Sequence, residues 1–296
     1  MTELEFSVSG AHDDPIYVCR WGPSEGRAAL VLVHGFGEHC RRYGDLVEIL
    51  AAHGLAVYGY DLRGHGRSPG RRGHVGRWAE HRADLAQVVG AVRAAEQGGP
   101  VFLMGNSLGG LIALEYALHH PDGLAGVVAS APALAPAGVG NRFLKMLARL
   151  LTRVWPSFSV TVPMVREDVE SDLLDDPDPL LHGRLTARAA TEAMAAIDWT
   201  VAHAAGLRLP LLLIHGGADR LVDPRGSRAF HAAASSDDKE LLEYPTNFHM
   251  LRREERRRTF SDVAAWIEAR LSNSTAASGL QGEAQAATPH GARTPG

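Results

Sequence analysis

The sequence predicts an α/β fold with a mostly parallel central sheet, helices on both faces and an inserted helical cap. Three observations predict it. Short apolar runs alternate with segments of helical period between residues 29 and 130, and such alternation needs parallel strands covered by helices on both sides. Glycine-rich segments follow three of those runs, at His34–His39, Asp61–Ser68 and Gly105–Gly109, where ligands of a parallel sheet bind. The alternation breaks at Pro132 and resumes at Pro210, as an insertion into a continuous sheet would require.

In chain order, residues 5–9 and 16–21 read as antiparallel strands joined by the turn at Gly10 to Pro15. Residues 29–33 form an apolar run that reads as a central strand. The helix pattern at 42–53 stops at Gly54, and 55–60 is the next strand. A long helix pattern spans 77–97, followed by a strand at 101–104, a helix at 108–118 and a strand at 124–130. Residues 133–207 are mostly helical in pattern, with Pro156, Pro163, Pro177 and Pro179 as breakers. The sheet resumes at 210–215; a helix at 224–234, a last strand at 239–244 and a closing helix at 252–271 follow. The expected division is a core of 1–132 and 208–271, a cap of 133–207, and a tail of 272–296. The tail is nearly devoid of large apolar residues, which predicts disorder.

Residues 100–116 carry the chemistry. Gly105-Asn106-Ser107-Leu108-Gly109 fits G-x-S-x-G between a predicted strand and a predicted helix. A strand turning straight into a helix must bend sharply, and the flanking glycines let neighbouring backbone approach the bend. The bend exposes the Ser107 hydroxyl at the positive end of the helix. A serine hydroxyl needs a base to take its proton and a carboxylate to orient that base. After such an elbow the acid and then the histidine follow in chain order. Asp219 lies just past a strand end and His249 in the loop after the last strand, so both reach the rim where Ser107 stands. Asp223 is the second choice for the acid. His215 reads as a packed residue at a strand end, and His231 lies within a helix pattern. The oxyanion needs preorganised N–H donors; the backbones of Leu108 and Phe36 are best placed to supply them.

Composition narrows the partners. Apolar residues make up 45% and charged residues 22%, the range of folded soluble chains. A net charge of -4 is too mild to point to nucleic acid. The two cysteines, Cys19 and Cys40, are too few for a disulfide scaffold and fit a reducing compartment. The acidic start lacks the apolar region of a signal peptide, so a cytoplasmic location is expected. The spacings of the 15 histidines, such as His34/His39 and His65/His74, match no zinc motif. No phosphate-loop lysine follows Gly64-His65-Gly66, so neither metal nor cofactor is expected.

Taken together, His34-Gly35-Phe36-Gly37-Glu38-His39 with Arg42-Tyr43, Asp61 to Ser68, Gly105 to Gly110, Gly217-Ala218-Asp219 and Phe248-His249 resemble the monoacylglycerol lipase and lysophospholipase branch of the α/β-hydrolases. The resemblance spans nearly all of residues 29–271 and is weakest in the cap. It implies a serine esterase that cleaves monoacylglycerols through an acyl-enzyme. The triad would be Ser107, Asp219 and His249, and the oxyanion hole Phe36 and Leu108. It also implies that Glu38 and Arg42 position the glycerol end. The chain departs from the family in having Asn106 where relatives usually carry histidine before the nucleophile. Alternatives of the same chemistry are a lysophospholipase or a short-chain carboxylesterase; a non-hydrolytic binding protein on the same fold is a third. Serine at the elbow excludes epoxide or haloalkane chemistry, which calls for aspartate there.

The cap segment 141–158 places Arg142, Lys145, Arg149 and Arg153 at helical spacing, with leucines between them and Trp155 at the end. Such a basic amphipathic helix fits transient contact with a lipid surface, against the alternative of an ordinary cap helix packed on the core.

Overall fold

The structure is a computed structural model and describes residues 2–136, 142–162, 178–249 and 251–286. The expected breakers Pro163 and Pro177 and the first residue of the amphipathic segment, Asn141, lie outside the described residues.

The order of elements is β1 (Thr2–Ser9), β2 (Pro15–Gly22), β3 (Ala28–Val33), α1 (Gly44–Ala52), β4 (Leu55–Tyr60), α2 (Trp78–Ala95), β5 (Val101–Asn106), α3 (Leu108–His119) and β6 (Gly126–Ser130). The cap supplies α4 (Arg142–Val154), β7 (Ser159–Thr161), β8 (Arg184–Thr186) and α5 (Ala187–Ala202). The core closes with β9 (Leu211–Gly216), α6 (Pro224–Ala233), β10 (Lys239–Tyr244) and α7 (Arg253–Ala286).

Eight strands form one sheet in the order β1-β2-β4-β3-β5-β6-β9-β10. Only β1–β2 and β2–β4 pair antiparallel; the other pairs are parallel. The chain winds outward from β3 to β4, then crosses back to β5 on the other side of β3. The crevice above the carboxyl ends of β3 and β5 is therefore the switch point where doubly wound sheets bind ligands.

The period of two along each strand builds two cores. On β3, Ala29, Val31 and Val33 face α2 and α3, where they meet Val88, Val92 and Leu111. Leu30 and Leu32 face α1 and α7, where they meet Leu46, Leu50, Val263 and Ile267. Strands buried on both faces read as unbroken apolar runs, which is why 29–33 and 211–214 stand out in the sequence.

Among its described residues the cap holds, besides α4 and α5, a small antiparallel pair of β7 and β8. Two expectations are corrected. The helix expected at 42–53 begins with a tight 3₁₀ turn at Cys40–Tyr43 before α1. The segment 272–286, expected to be disordered, continues α7 to Ala286. Propagating a formed helix costs far less than nucleating one, and the Ala, Gln, Glu and Leu residues there are good helix formers. No described helix is long and apolar enough to cross a membrane.

Candidate active site

The sharp turn between β5 and α3 is built from glycine and strain. Ser107 sits at φ 52, ψ -113, a conformation that costs of order 1–3 kcal/mol for a residue with a Cβ. Its backbone is held from both sides: Ser107 N–H donates to Ser130 O at 2.8 Å, and Ala133 N–H donates to Ser107 O at 3.0 Å. A Cβ on Gly105 would lie 2.1 Å from Gly109 O, and one on Gly109 would lie 2.1 Å from Val33 O. Only glycine permits that approach of helix to strand, and the approach lifts the Ser107 hydroxyl over the sheet.

The three predicted catalytic side chains meet there. His249 Nε2 lies 3.0 Å from Ser107 Oγ, and His249 Nδ1 lies 2.7 Å from Asp219 Oδ2. Because an ionised carboxylate only accepts, Nδ1 carries the ring proton and Nε2 is the bare nitrogen facing the hydroxyl. Asp219 is held from both ends: Oδ1 accepts from the N–H groups of Leu221 (2.8 Å) and Val222 (2.9 Å), and Oδ2 accepts from His249 and from His215 Nε2 at 3.2 Å. Burial pushes the carboxyl pKa upward, but the hydrogen bonds from His215 and His249 outweigh it and hold the group well below the usual carboxylate range.

The two expected oxyanion donors, Phe36 and Leu108, are residues that line the cavity with Ser107. The N–H of Leu108 belongs to the first turn of α3, where backbone donors have no intrahelical partner. Phe36, in the loop after β3, lines the same cavity as Ser107, Leu108 and His249. That loop is braced by buried groups. Glu38 Oε2 accepts from Gly35 N–H at 3.3 Å and from the Tyr43 hydroxyl at 3.0 Å. His34 Nε2 accepts from Leu62 N–H at 3.0 Å while Nδ1 donates to Gly35 O at 2.7 Å, tying the first glycine-rich loop to the second. Asp61 accepts from the N–H groups of Cys40 (2.8 Å) and Arg67 (2.7 Å).

Several histidines are therefore cross-braces between loops. His39 Nε2 reaches Asp178 Oδ2 at 2.7 Å, tying the cap to the loop after β3, and His182 Nε2 reaches Gly64 O at 3.0 Å, tying the cap to the loop after β4. Among the described residues one group, Glu3, Glu5 and Cys19, gathers ligand-type atoms within 4.8 Å of one another. Both of its carboxylates already pair with Arg41 at 2.6 Å.

The other candidates fall as follows. Asp223 caps α6 and pairs with Arg225. His231 lies in α6. Glu38 lines the cavity, but Arg42 is not among its lining residues. The charge of Arg42 also reaches Asp178 of the cap. Burial raises that carboxyl's pKa, but the bonds from His39 and the Leu180 N–H, together with the Arg42 charge, hold it below its ordinary value. His215 is packed, as expected, but it also touches Asp219, a role the sequence reading missed. Its signal is local: in His215-Gly216-Gly217-Ala218-Asp219 the imidazole and carboxylate are four residues apart across a tight turn.

Ser107 opens onto a cavity of about 480 Å³ beneath the cap, within the range of small-ligand sites. Its roof is the apolar side of α5, with Ala189, Ala193, Met194 and Ile197, joined by Val162 just after β7 and by Leu185 of β8.

A mostly parallel sheet, a strained serine elbow and an ordered Ser-Asp-His set define an α/β-hydrolase that works as a serine hydrolase. A family model described as Hydrolase_4, serine aminopeptidase, S33, matches residues 24–256, and the chain belongs to that family. It is 32% identical over 276 residues to the monoacylglycerol lipase of Mycolicibacterium smegmatis, covering 91% of this chain and 99% of the relative. It is 31% identical over 276 residues to the monoglyceride lipase of Homo sapiens, covering 90% and 91% of the two chains. The crystal structure of Paleococcus ferrophilus monoacylglycerol lipase superposes with a TM-score of 0.76 at 32% identity, covering 86% of this chain and 99% of that one.

Proposed function

We propose that the protein hydrolyses monoacylglycerols through an acyl-enzyme on Ser107. The observation that carries this reading is the unbroken chain Ser107 Oγ, His249, Asp219, at 3.0 and 2.7 Å, opening onto an apolar cavity under the cap. The names of the relatives support the substrate class. His249 takes the Ser107 proton as the oxygen attacks the ester carbonyl, and then gives that proton to the leaving glycerol oxygen. Asp219 fixes the tautomer and stabilises the imidazolium. The N–H groups of Phe36 and Leu108 receive the oxyanion. A water activated by His249 then releases the fatty acid and restores the serine. The acyl chain lies against α5, and Glu38, with its remaining oxygen, faces the alcohol half.

A panel of esters varied in chain length and head group, glycerol against lysophospholipid against short synthetic alcohols, tests the reading. The wild type should turn over monoacylglycerols fastest and Ser107→Ala none of them. Preference for a lysophospholipid or a short-chain ester would replace the substrate, and turnover by Ser107→Ala would replace the nucleophile.

The cap also supports contact with a lipid surface. Met146, Leu150, Val154 and Trp155 are 57–77% exposed on and just after α4, an apolar patch next to Arg149 and Arg153 of the same segment. Co-sedimentation with anionic liposomes should fall for Leu147→Asp combined with Leu150→Asp; equal binding by the variant counts against membrane docking.

A further inference from the structure

We propose that His215 is a positioning residue that sets the strength of the Asp219–His249 pair. The inference rests on the acyl-enzyme reading above. His215 is fully enclosed, with its side chain and that of Asp219 at 0% exposure. Its Nε2 lies 3.1 Å from Val222 O as well as 3.2 Å from Asp219 Oδ2. A backbone carbonyl only accepts, so Nε2 must carry the ring proton and share it between the two oxygens. Nδ1 is then bare, and the Ser227 hydroxyl donates to it at 2.7 Å. The Val222 carbonyl thus sets the tautomer of His215, the Ser227 hydroxyl satisfies its bare nitrogen, and His215 in turn donates to the same carboxylate oxygen that accepts from His249.

Two consequences follow. The second donor pins Asp219 in the rotamer that aims Oδ2 at His249, beyond what the two N–H bonds to Oδ1 achieve. It also draws charge from Oδ2, which weakens the hold of Asp219 on the protonated imidazole of His249 and favours release of that proton to the leaving group. Among the described residues, the charges around the pair include Glu243 of β10, in register with His215 and bound by Arg228 of α6 at 2.8 Å, and Arg220, which follows Asp219 and lies over the Phe248 ring.

The test is His215→Leu, with His215→Gln as the conservative variant that keeps an N–H for Asp219. Active sites are counted by a fluorophosphonate burst, and kcat/KM is measured against pH. Removing the donor should lower kcat about tenfold with KM within about twofold, and move the acid limb about half a unit to higher pH. His215→Gln should return both towards wild type. Ser227→Ala should move the limb the same way by less, and it carries the test should His215→Leu fail to fold. A limb and kcat equal to wild type per active site, or a His215→Gln as impaired as His215→Leu, overturns the proposal. Absence of any burst in wild type would instead overturn the acyl-enzyme reading.

Discussion

Asp219→Asn is the perturbation whose outcome the geometry determines most fully. The carboxylate accepts four hydrogen bonds, two on each oxygen. An asparagine amide has one accepting oxygen and one donating NH₂, so one end of the site must be mismatched. If the NH₂ faces Leu221 and Val222, two N–H groups lose their acceptor, at about 1–3 kcal/mol for the buried Val222 N–H and less for that of the exposed Leu221. If the NH₂ replaces Oδ2, the backbone pair is kept and the mismatch falls on His215 and His249. His249 can relieve it cheaply by moving its proton from Nδ1 to Nε2. The second arrangement is therefore favoured, and it leaves the Nε2 that faces Ser107 protonated and unable to act as base. The expected loss is about 10⁴-fold in kcat, or about 5.5 kcal/mol of transition-state stabilisation. KM should change little, because no ester-binding group moves. Stability should fall by about 1.5–3 kcal/mol for the hydrogen bond that His215 loses to a charged acceptor, since its Nε2–H keeps only the Val222 carbonyl. Steady-state hydrolysis of a monoacylglycerol, with thermal unfolding to verify the fold, reads both. Activity within tenfold of wild type in a folded variant would refute the assignment of Asp219.

Two other perturbations probe the scaffold. Gly109→Ala would put a methyl 2.1 Å from Val33 O and 2.5 Å from His34 O, both backbone atoms. The helix must retreat from β3, costing about 1–3 kcal/mol of stability, and about 10²-fold in kcat as Ser107 leaves the loop after β3; wild-type thermal stability and turnover would show the packing argument to be wrong. Burial first, then the charge of Arg63 and the neighbouring His34, push His81 down to about 3 from an ordinary 6.5. Between those values the unfolded chain binds the extra proton, so this contribution to stability is full above pH 6.5 and shrinks as the pH falls. At pH 5 the loss is about 2 kcal/mol. His81→Phe should show a smaller drop in urea midpoint between pH 7 and pH 5 than wild type; an equal drop would assign the acid sensitivity to other groups.

The parts legible in the sequence are those whose signal is local or follows chain order. The elbow shows because its glycines flank one serine between an apolar run and a helix pattern. Asp219 and His249 show because each follows a strand that must end at the same rim. The rest depends on chain distant in sequence. Strands β7 and β8 are three residues each, too short for a period, and they exist only because they pair. His215 reads as the end of an apolar strand; nothing in the run says that its ring turns to Asp219. Arg42 lies in the 3₁₀ turn Cys40–Tyr43, and only the cap, distant in sequence, brings Asp178 within range of its charge. The end of α7 misled because composition measures burial, whereas a helix already nucleated by Val263 and Ile267 on the core extends on propensity alone.

The account turns on Ser107 being the activated nucleophile of this chain. Reaction with a fluorophosphonate at neutral pH, followed by peptide mapping, measures that directly. The account predicts one adduct per chain, on the peptide bearing Ser107, formed by wild type and lost in His249→Ala. An adduct on another serine, or an unmodified protein that is demonstrably folded, would contradict it.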